Sequence, residues 1–314
     1  MSDSLVQLGG RRKEATAGER LPRPEWLRIR LQTPARYHEV RRLVDSLSLN
    51  TVCKEAHCPN IYECWGELGT ATFMILGDVC TRRCGFCAVT SGRPPALPDP
   101  AEPENVAEAV AAMGLRHAVI TSVDRDDLDD GGARHWAAVI AAVHELNPAT
   151  AVEVLTPDFR GVPEALDLVL AARPEIFSHN TETVPRLYRQ ARPGSRYERT
   201  LALLAEAARR RDAGAYAGRV KTSIMVGLGE TPAEVRATMA DIRAAGVDVL
   251  SIGQYLQPTP EHMPVDRFVT PEEFAGYRAH AAELGFAHCQ AGPLVRSSYH
   301  AHEQVQRELR APAS

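Results

Sequence analysis

Residues 71–94 read ATFMILGDVCTRRCGFCAVTSGRP: a short apolar run, ATFMIL, that breaks at Gly77 into a loop holding Cys80, Cys84 and Cys87 in a C-x3-C-x2-C spacing. The run has the length and composition of a buried strand. Further strand-like runs follow at HAVIT (117–121), AVEVL (151–155), EIFSHN (175–180), VKTSIMV (220–226) and DVLSI (248–252), with FAHCQ (286–290) a candidate seventh. Helical stretches fall between them at roughly 103–113, 132–146, 163–172, 182–191, 197–213, 232–245 and 271–284. Strands alternating with helices make parallel βα units, and the first strand lacks the Gly-x-Gly-x-x-Gly turn of a dinucleotide-binding sheet. The expected fold is α/β, a partial parallel (β/α)6 TIM-like barrel over residues 71–290, with an N-terminal extension (1–70) and a C-terminal tail (291–314). In such barrels the working residues sit in loops after the strands' C-terminal ends, which is where the three cysteines fall. Thr231-Pro-Ala-Glu and Thr270-Pro-Glu-Glu each offer a Thr N-cap, Pro at the first helical position and a capping-box Glu, so Glu234 and Glu273 read as structural.

A second triplet, Cys53, Cys58 and Cys64 in a C-x4-C-x5-C spacing, lies in the extension, so six of the seven cysteines fall within 35 residues. Three thiolates on short spacers suit three irons of a four-iron, four-sulfur cluster and leave the fourth iron a free position. Structural zinc prefers two pairs of ligands two to four residues apart, which neither triplet supplies. A disulfide framework needs an oxidising compartment. Residues 1–30 carry no apolar run resembling a signal peptide, so the expected location is reducing, the cytoplasm. Cys289, distant from both triplets, reads as a small buried hydrophobe.

The 314 residues are 44% hydrophobic and 24% charged, enough for one large core with extensions. A formal charge of -4 gives no whole-molecule attraction to nucleic acid, and no apolar stretch approaches the ~20 residues of a membrane span. Of the 36 basic residues only Lys13, Lys54 and Lys221 are lysines; the arginines are spread along the chain, a compositional trait and not a phosphate site. The run Arg209-Arg-Arg ends a helix, where positive charge suits the dipole. The acidic run from Asp124 to Asp130 lacks calcium-loop spacing and reads as a solvated strand-to-helix loop.

The loop CTRRCGFC (80–87) resembles the cysteine motif of the radical S-adenosylmethionine (SAM) superfamily, including the aromatic residue before the last cysteine. Together with Cys53-x4-Cys58-Pro-Asn-x3-Cys64-Trp, SHNTET (178–183), YLQPT (255–259) and GPLVRSSYH (292–300), it is similar to the lipoyl synthase family over roughly residues 20–302. The resemblance implies insertion of two sulfurs at C6 and C8 of an octanoyl chain amide-linked to a carrier-protein lysine. Cys80, Cys84 and Cys87 would hold a cluster whose open iron chelates S-adenosylmethionine, giving a 5′-deoxyadenosyl radical that attacks an unactivated C–H bond. Acid–base catalysis has no purchase on such a carbon. Cys53, Cys58 and Cys64, with Ser298 on the fourth iron and Ser297 the less favoured choice, would hold an auxiliary cluster that is the sulfur donor. Arg296 is implied as catalytic.

The S-adenosylmethionine contacts implied are Thr121, Ser122, Asn180, Glu182 and Gly227, although TSVDRDD (121–127) replaces the Gly-Gly-Glu common in radical enzymes. SIMVGLGE (223–230) only approximates an adenine-binding Gly-x-Ile-x-Gly-x-x-Glu, and His179 reads equally as a hydrogen-bonded wall residue. Implied partners are the octanoylated carrier domain, an electron donor such as a ferredoxin or flavodoxin, and a cluster-repair protein; nucleic acid and membrane are not expected. Two alternatives stand beside this: a biotin synthase-like enzyme, whose second cluster is held inside the barrel, and a non-enzymatic iron–sulfur electron carrier, which normally completes each cluster with four cysteines. Arg11, Arg12 and Lys13 are expected to help dock an acidic carrier protein. Removing residues 1–20 should weaken carrier binding in a pull-down or titration, and unchanged affinity would sink that expectation.

Overall fold

The computed structural model describes residues 21–27, 34–47, 49–55, 58, 60–65 and 71–298. Arg11, Arg12, Lys13, Pro59, Tyr299 and His300 lie outside the described residues. The strands are β1 (Asn50–Thr51), β2 (Thr72–Ile75), β3 (Val79–Cys80), β4 (Thr90–Ser91), β5 (His117–Ser122), β6 (Ala151–Leu155), β7 (Ile176–Ser178), β8 (Arg219–Val226), β9 (Val249–Gln254) and β10 (His288–Gly292). The helices are α1 (Ala35–Ser46), α2 (Val52–Glu55), α3 (Ile61–Glu63), α4 (Glu102–Met113), α5 (Ala133–Leu146), α6 (Pro163–Ala171), α7 (Pro185–Ala191), α8 (Tyr197–Asp212), α9 (Pro232–Ala244) and α10 (Pro271–Glu283).

One sheet runs β1-β2-β5-β6-β7-β8-β9-β10, with every pair parallel except β1 against β2. The seventh parallel strand, which the sequence left as a candidate, is thus part of the sheet. It begins two residues later than FAHCQ and takes in Ala291 and Gly292, so the tail starts after Gly292. The extension also departs from the expected boundary: Asn50 and Thr51 pair with Met74 and Phe73, so β1 caps the sheet's first edge. Both Thr-Pro helices carry complete capping boxes, Thr231 with Glu234 and Thr270 with Glu273. Arg209 and Arg210 pair with Glu206, and Arg211 with Asp248, so that run is ion-paired surface.

The helix-facing side of the sheet is apolar, with Phe73, Ile75, Ile120, Val152, Val154, Phe177, Val220 and Ile252 buried against Trp136, Val139, Leu166, Leu204 and Met239. The opposite, inward face carries charge. Lys221 on β8 and Glu153 on β6 reach each other across β7, both fully enclosed, with Nζ donating to Oε1 at 2.7 Å and His117 Nε2 3.3 Å from Oε2. Burial alone would raise the Glu153 carboxyl, but Lys221 and His117 outweigh it and hold it below the usual range. Its stabilisation is therefore present above the unfolded carboxyl's pKa of about 4 and is lost as pH falls through the depressed folded value. Lys221→Met, which strands the carboxylate, should cost about 3–5 kcal/mol in denaturant unfolding at pH 7, with a smaller deficit when Glu153→Leu is added.

Candidate active site

The C-terminal ends of the strands open into a cavity of about 470 Å³. Its wall brings together Cys80, Cys84 and Cys87 from the loop after β2, Cys53 and Cys58 from the extension, and Arg296, Ser297 and Ser298 from the tail. Thr121, Ser122, Asn180 and Glu182 line it as well. Two expected residues do not reach the wall. Cys64 is partly buried on the turn that closes onto Asn60, and Gly227 lies beyond β8. Gly227 has φ +98°, its N–H donates to the buried Glu230 carboxylate at 2.6 Å, and a Cβ there would overlap Gln254, so the glycine shapes the turn that follows β8.

Arg82, in the middle of the cysteine loop, holds that loop down. It is 5% exposed, whereas Arg83 beside it is exposed. Its guanidinium forks onto Asp126 (2.7 and 2.8 Å), reaches Asp158 at 2.6 Å, lies 3.3 Å from Asp124 and donates to Ser195 at 3.0 Å. Arg199 meets the other oxygen of Asp158 at 2.7 Å. Despite its burial Asp158 stays well below the usual carboxylate range because Arg82 bonds and faces it. The loop after β5 is therefore not the solvated acidic run expected: Asp124 and Asp126 bind Arg82, Asp127 binds the 3% exposed Arg125, and Asp130 accepts from Gly132 at the start of α5. Cys80 sulfur accepts the backbone N–H of Arg82 (3.5 Å) and Asp124 (3.3 Å). Burial pushes the thiols up, Cys80 to about 11 and Cys84 and Cys53 to about 12, with Cys58 and Cys87 raised for the same cause.

The tail reaches the N-terminal cysteines through two hydrogen bonds. Thr72 Oγ1 donates to Ser298 Oγ at 2.9 Å, and Asn60 Nδ2 donates to the Leu294 carbonyl at 2.8 Å. The path needs Gly253, since a Cβ there would sit 2.1 Å from the Val295 carbonyl. Burial lowers Arg296's pKa, with the Cys58 sulfur working against it. Cys289 is only partly buried; it pairs with Leu250 and faces Arg278 of α10, on the helix side of the sheet.

The cavity wall beside the cysteine loop is polar and under-satisfied. Ser122 Oγ, Asn180 Oδ1 and Arg192 Nε are buried without a hydrogen-bond partner, and all three residues line the cavity. Glu182 has φ 68°, a left-handed backbone that costs a non-glycine residue on the order of 1–3 kcal/mol and is imposed by its bridge to Ile224 of β8. Burial raises its carboxyl, and Arg192 only partly offsets this. Arg192, which carries no motif and which the sequence reading missed, is oriented by a chain. Its Nη1 donates to Asn180 O (2.6 Å) and Tyr188 OH (3.2 Å), Tyr188 donates to Thr200 (2.6 Å), and Thr200 donates to His179 Nε2 (3.2 Å). His179 Nδ1–H ends the chain on Thr156 O at 2.8 Å, which fixes the neutral tautomer. His179 is thus a hydrogen-bonded wall residue.

Among the described residues no three His, Cys, Asp or Glu side chains converge on a single-ion site. A cluster asks for something else, one thiolate per iron spread around a larger body. The loop thiols and the orphaned polar atoms that line the same cavity fit a cluster with a small polar ligand beside it.

The Radical SAM superfamily matches residues 74–242. In the solved structures, Streptococcus suis SuiB bound to precursor peptide SuiA is similar over 81% of this chain and 52% of its own (TM-score 0.53, 11% identity). Methylornithine synthase (PylB) is similar over 82% of each chain (TM-score 0.51, 13% identity), a likeness of fold. The chain is a radical SAM enzyme. Lipoyl synthase of Chlorobaculum parvum is 53% identical over 279 residues, 89% of this chain and 94% of that one. Lipoyl synthase of Rubrobacter xylanophilus is 55% identical over 284 residues, 90% and 87% of the two chains. This chain belongs to the lipoyl synthase family.

Burial, with Arg192's charge adding to it, pushes His179 down to about 4. The unfolded histidine titrates near 6.5, so between these values the unfolded chain binds the extra proton and stability falls as pH drops. The expected loss is roughly 3 kcal/mol from pH 6.5 to 4. Unfolding measured across that range should show this slope flattened in His179→Gln, and an unchanged slope would assign it elsewhere.

Proposed function

We propose that the chain holds two four-iron, four-sulfur clusters and converts N6-octanoyl-lysine on a carrier protein to N6-lipoyl-lysine, the auxiliary cluster giving up the sulfurs inserted at C6 and C8. The reading rests on one observation: thiols of both triplets face a single cavity, Cys80, Cys84 and Cys87 from one loop and Cys53 and Cys58 from another, with Ser298 tied beside the second set through Thr72. Cys64 completes that second set. When bound, the first cluster and S-adenosylmethionine supply one-electron chemistry that reaches unactivated C–H bonds, and the second cluster supplies sulfur.

The chain's own residues bind, orient and keep water out. Thr121, Ser122, Asn180 and Glu182 present their polar groups to the nucleoside and amino-acid parts of S-adenosylmethionine. Gly227 acts one step back, by shaping the turn that follows β8. Met74, Phe86, Leu155, Ile224, Leu256 and Val295 give the cavity an apolar wall suited to an octanoyl chain. Arg296, charged beside Cys58, is the catalytic group at the auxiliary set. Ser298 would hold the fourth iron of the auxiliary cluster as a harder ligand than thiolate, and Ser297 lines the same wall. In this reading residues 1–70 carry the auxiliary cysteines, the barrel expected over 71–290 runs on through β10 to Gly292, and the tail after it carries the serine ligand. The chain works in the cytoplasm with an octanoylated carrier domain, a ferredoxin or flavodoxin as reductant, and a cluster-repair protein. A biotin synthase-like arrangement is disfavoured because Cys289 faces the helices and not the cavity.

The test is anaerobic reconstitution with iron and sulfide, then mass spectrometry of an octanoyl-lysine peptide after incubation with S-adenosylmethionine and a strong reductant. The expected product carries two added sulfurs, at no more than one equivalent per chain without cluster repair. Cys53→Ala should still cleave S-adenosylmethionine but insert no sulfur, whereas Cys80→Ala should do neither. Cleavage by the unsubstituted protein with no sulfur gained would overturn the substrate assignment.

A further inference from the structure

The segment after β9 makes contacts that no step above uses. Residues 255–263 run from the cavity wall, which Tyr255, Leu256, Gln257 and Pro258 line, across to the cysteine loop. There the segment ends in two hydrogen bonds to backbone carbonyls of that loop: Met263 N–H donates to Gly85 O at 2.8 Å, and His262 Nε2–H donates to Cys87 O at 2.9 Å. The segment is braced for this. Thr259 Oγ1 lies 2.9 Å from His262 Nδ1 and steadies the ring from its other side. Gln257 Nε2 donates to the His262 carbonyl at 2.8 Å, and Tyr255 OH donates to the Met263 carbonyl at 2.7 Å. On the other side, Gly85 N–H donates to Ala191 O at 2.8 Å. Gly85 is thus clamped between two elements, and a Cβ there would lie 3.0 Å from Met263 Cγ and 3.1 Å from Gln190 O. The glycine of the cysteine loop serves close approach and not a special φ.

We propose that His262 is a positioning residue for the Cys80, Cys84 and Cys87 set, acting through the Cys87 peptide. The Cys87 carbonyl belongs to the peptide that leads toward Val89, whose backbone N–H is directed at the Cys87 sulfur. Holding that carbonyl orients the turn and, with it, the N–H that meets the sulfur. Hydrogen bonds to ligating sulfurs and to the backbone around them tune a cluster's hold and its potential. Without His262 the carbonyl would need a new donor and the turn could relax.

This rests on the cluster reading of the loop, and the experiment separates the two. In a Cys53→Ala/Cys58→Ala/Cys64→Ala background only the loop set remains to bind iron and sulfide. His262→Ala in that background should lose iron to a chelator roughly tenfold faster and shift the reduced cluster's electron paramagnetic resonance spectrum. His262→Gln, whose amide can donate to the same carbonyl, should restore much of both. Thr259→Val, a milder change that frees the ring, should move them in the same direction by less. The thermal midpoint of the metal-free protein should stay near that of the background. An unchanged loss rate and spectrum in His262→Ala overturns the proposal, as does a loss that merely tracks a fallen midpoint. If the background protein itself takes up no iron, the cluster reading fails first.

Discussion

The site depends on the burial of Arg82 among three carboxylates. A guanidinium nearly withdrawn from water is tolerable only when its donors are met, and Asp126, Asp158, Asp124 and Ser195 meet them from three different loops. Removing one partner of such a cluster costs about 3–5 kcal/mol, a large part of the 5–15 kcal/mol that holds a domain together. The ion pairs therefore do more than stabilise. They oblige the loop after β2 to sit against the loops after β5 and β6, which puts Cys80 where two backbone amides point at its sulfur. An arginine between the first two cysteines thus converts a flexible spacer into a fixed one.

The second constraint is topological. The sheet is open at both edges, and the extension and tail close over its mouth from opposite ends of the chain. Asn60 binds the Leu294 carbonyl, Thr72 binds Ser298, and Gly253 lets the Val295 backbone lie against β9. Each contact is modest, about 1 kcal/mol for a typical hydrogen bond, but together they hold the serines on the cavity wall that Cys53 and Cys58 also line.

The strands and helices were legible because each repeats a local rule. Apolar runs of four to eight residues marked β5, β6, β8 and β9, and the Thr-Pro-x-Glu starts marked α9 and α10. β1 was not legible, because two residues carry no periodicity and its pairing with β2 is set by tertiary packing. The cysteines were legible from spacing, but Arg82 and Arg83 look alike in sequence, and only the fold turns one inward. Arg192 had no local signal at all. Its position is set by Tyr188 four residues earlier, one helical turn away, and by Thr200 and His179 on neighbouring elements. Gly227 had the converse problem: its motif suggested a ligand contact, while its φ and the Glu230 carboxylate explain it structurally.

Burial gives the cysteines two properties at once. With thiols pushed up to about 11 or 12, the metal-free chain keeps Cys53, Cys80 and Cys84 protonated at neutral pH, so the walls carry no cluster of unpaired negative charge. Thiolates are the metal ligands, so loading must expel those protons, and the metal's charge must offset a desolvation cost that protein groups do not. The same exclusion of water that makes the empty site reluctant to ionise strengthens every charge interaction once cationic iron and a sulfonium ligand are present. A wetter cavity would ionise its cysteines more easily, so the raised thiols and the apolar part of the cavity wall follow from one physical requirement.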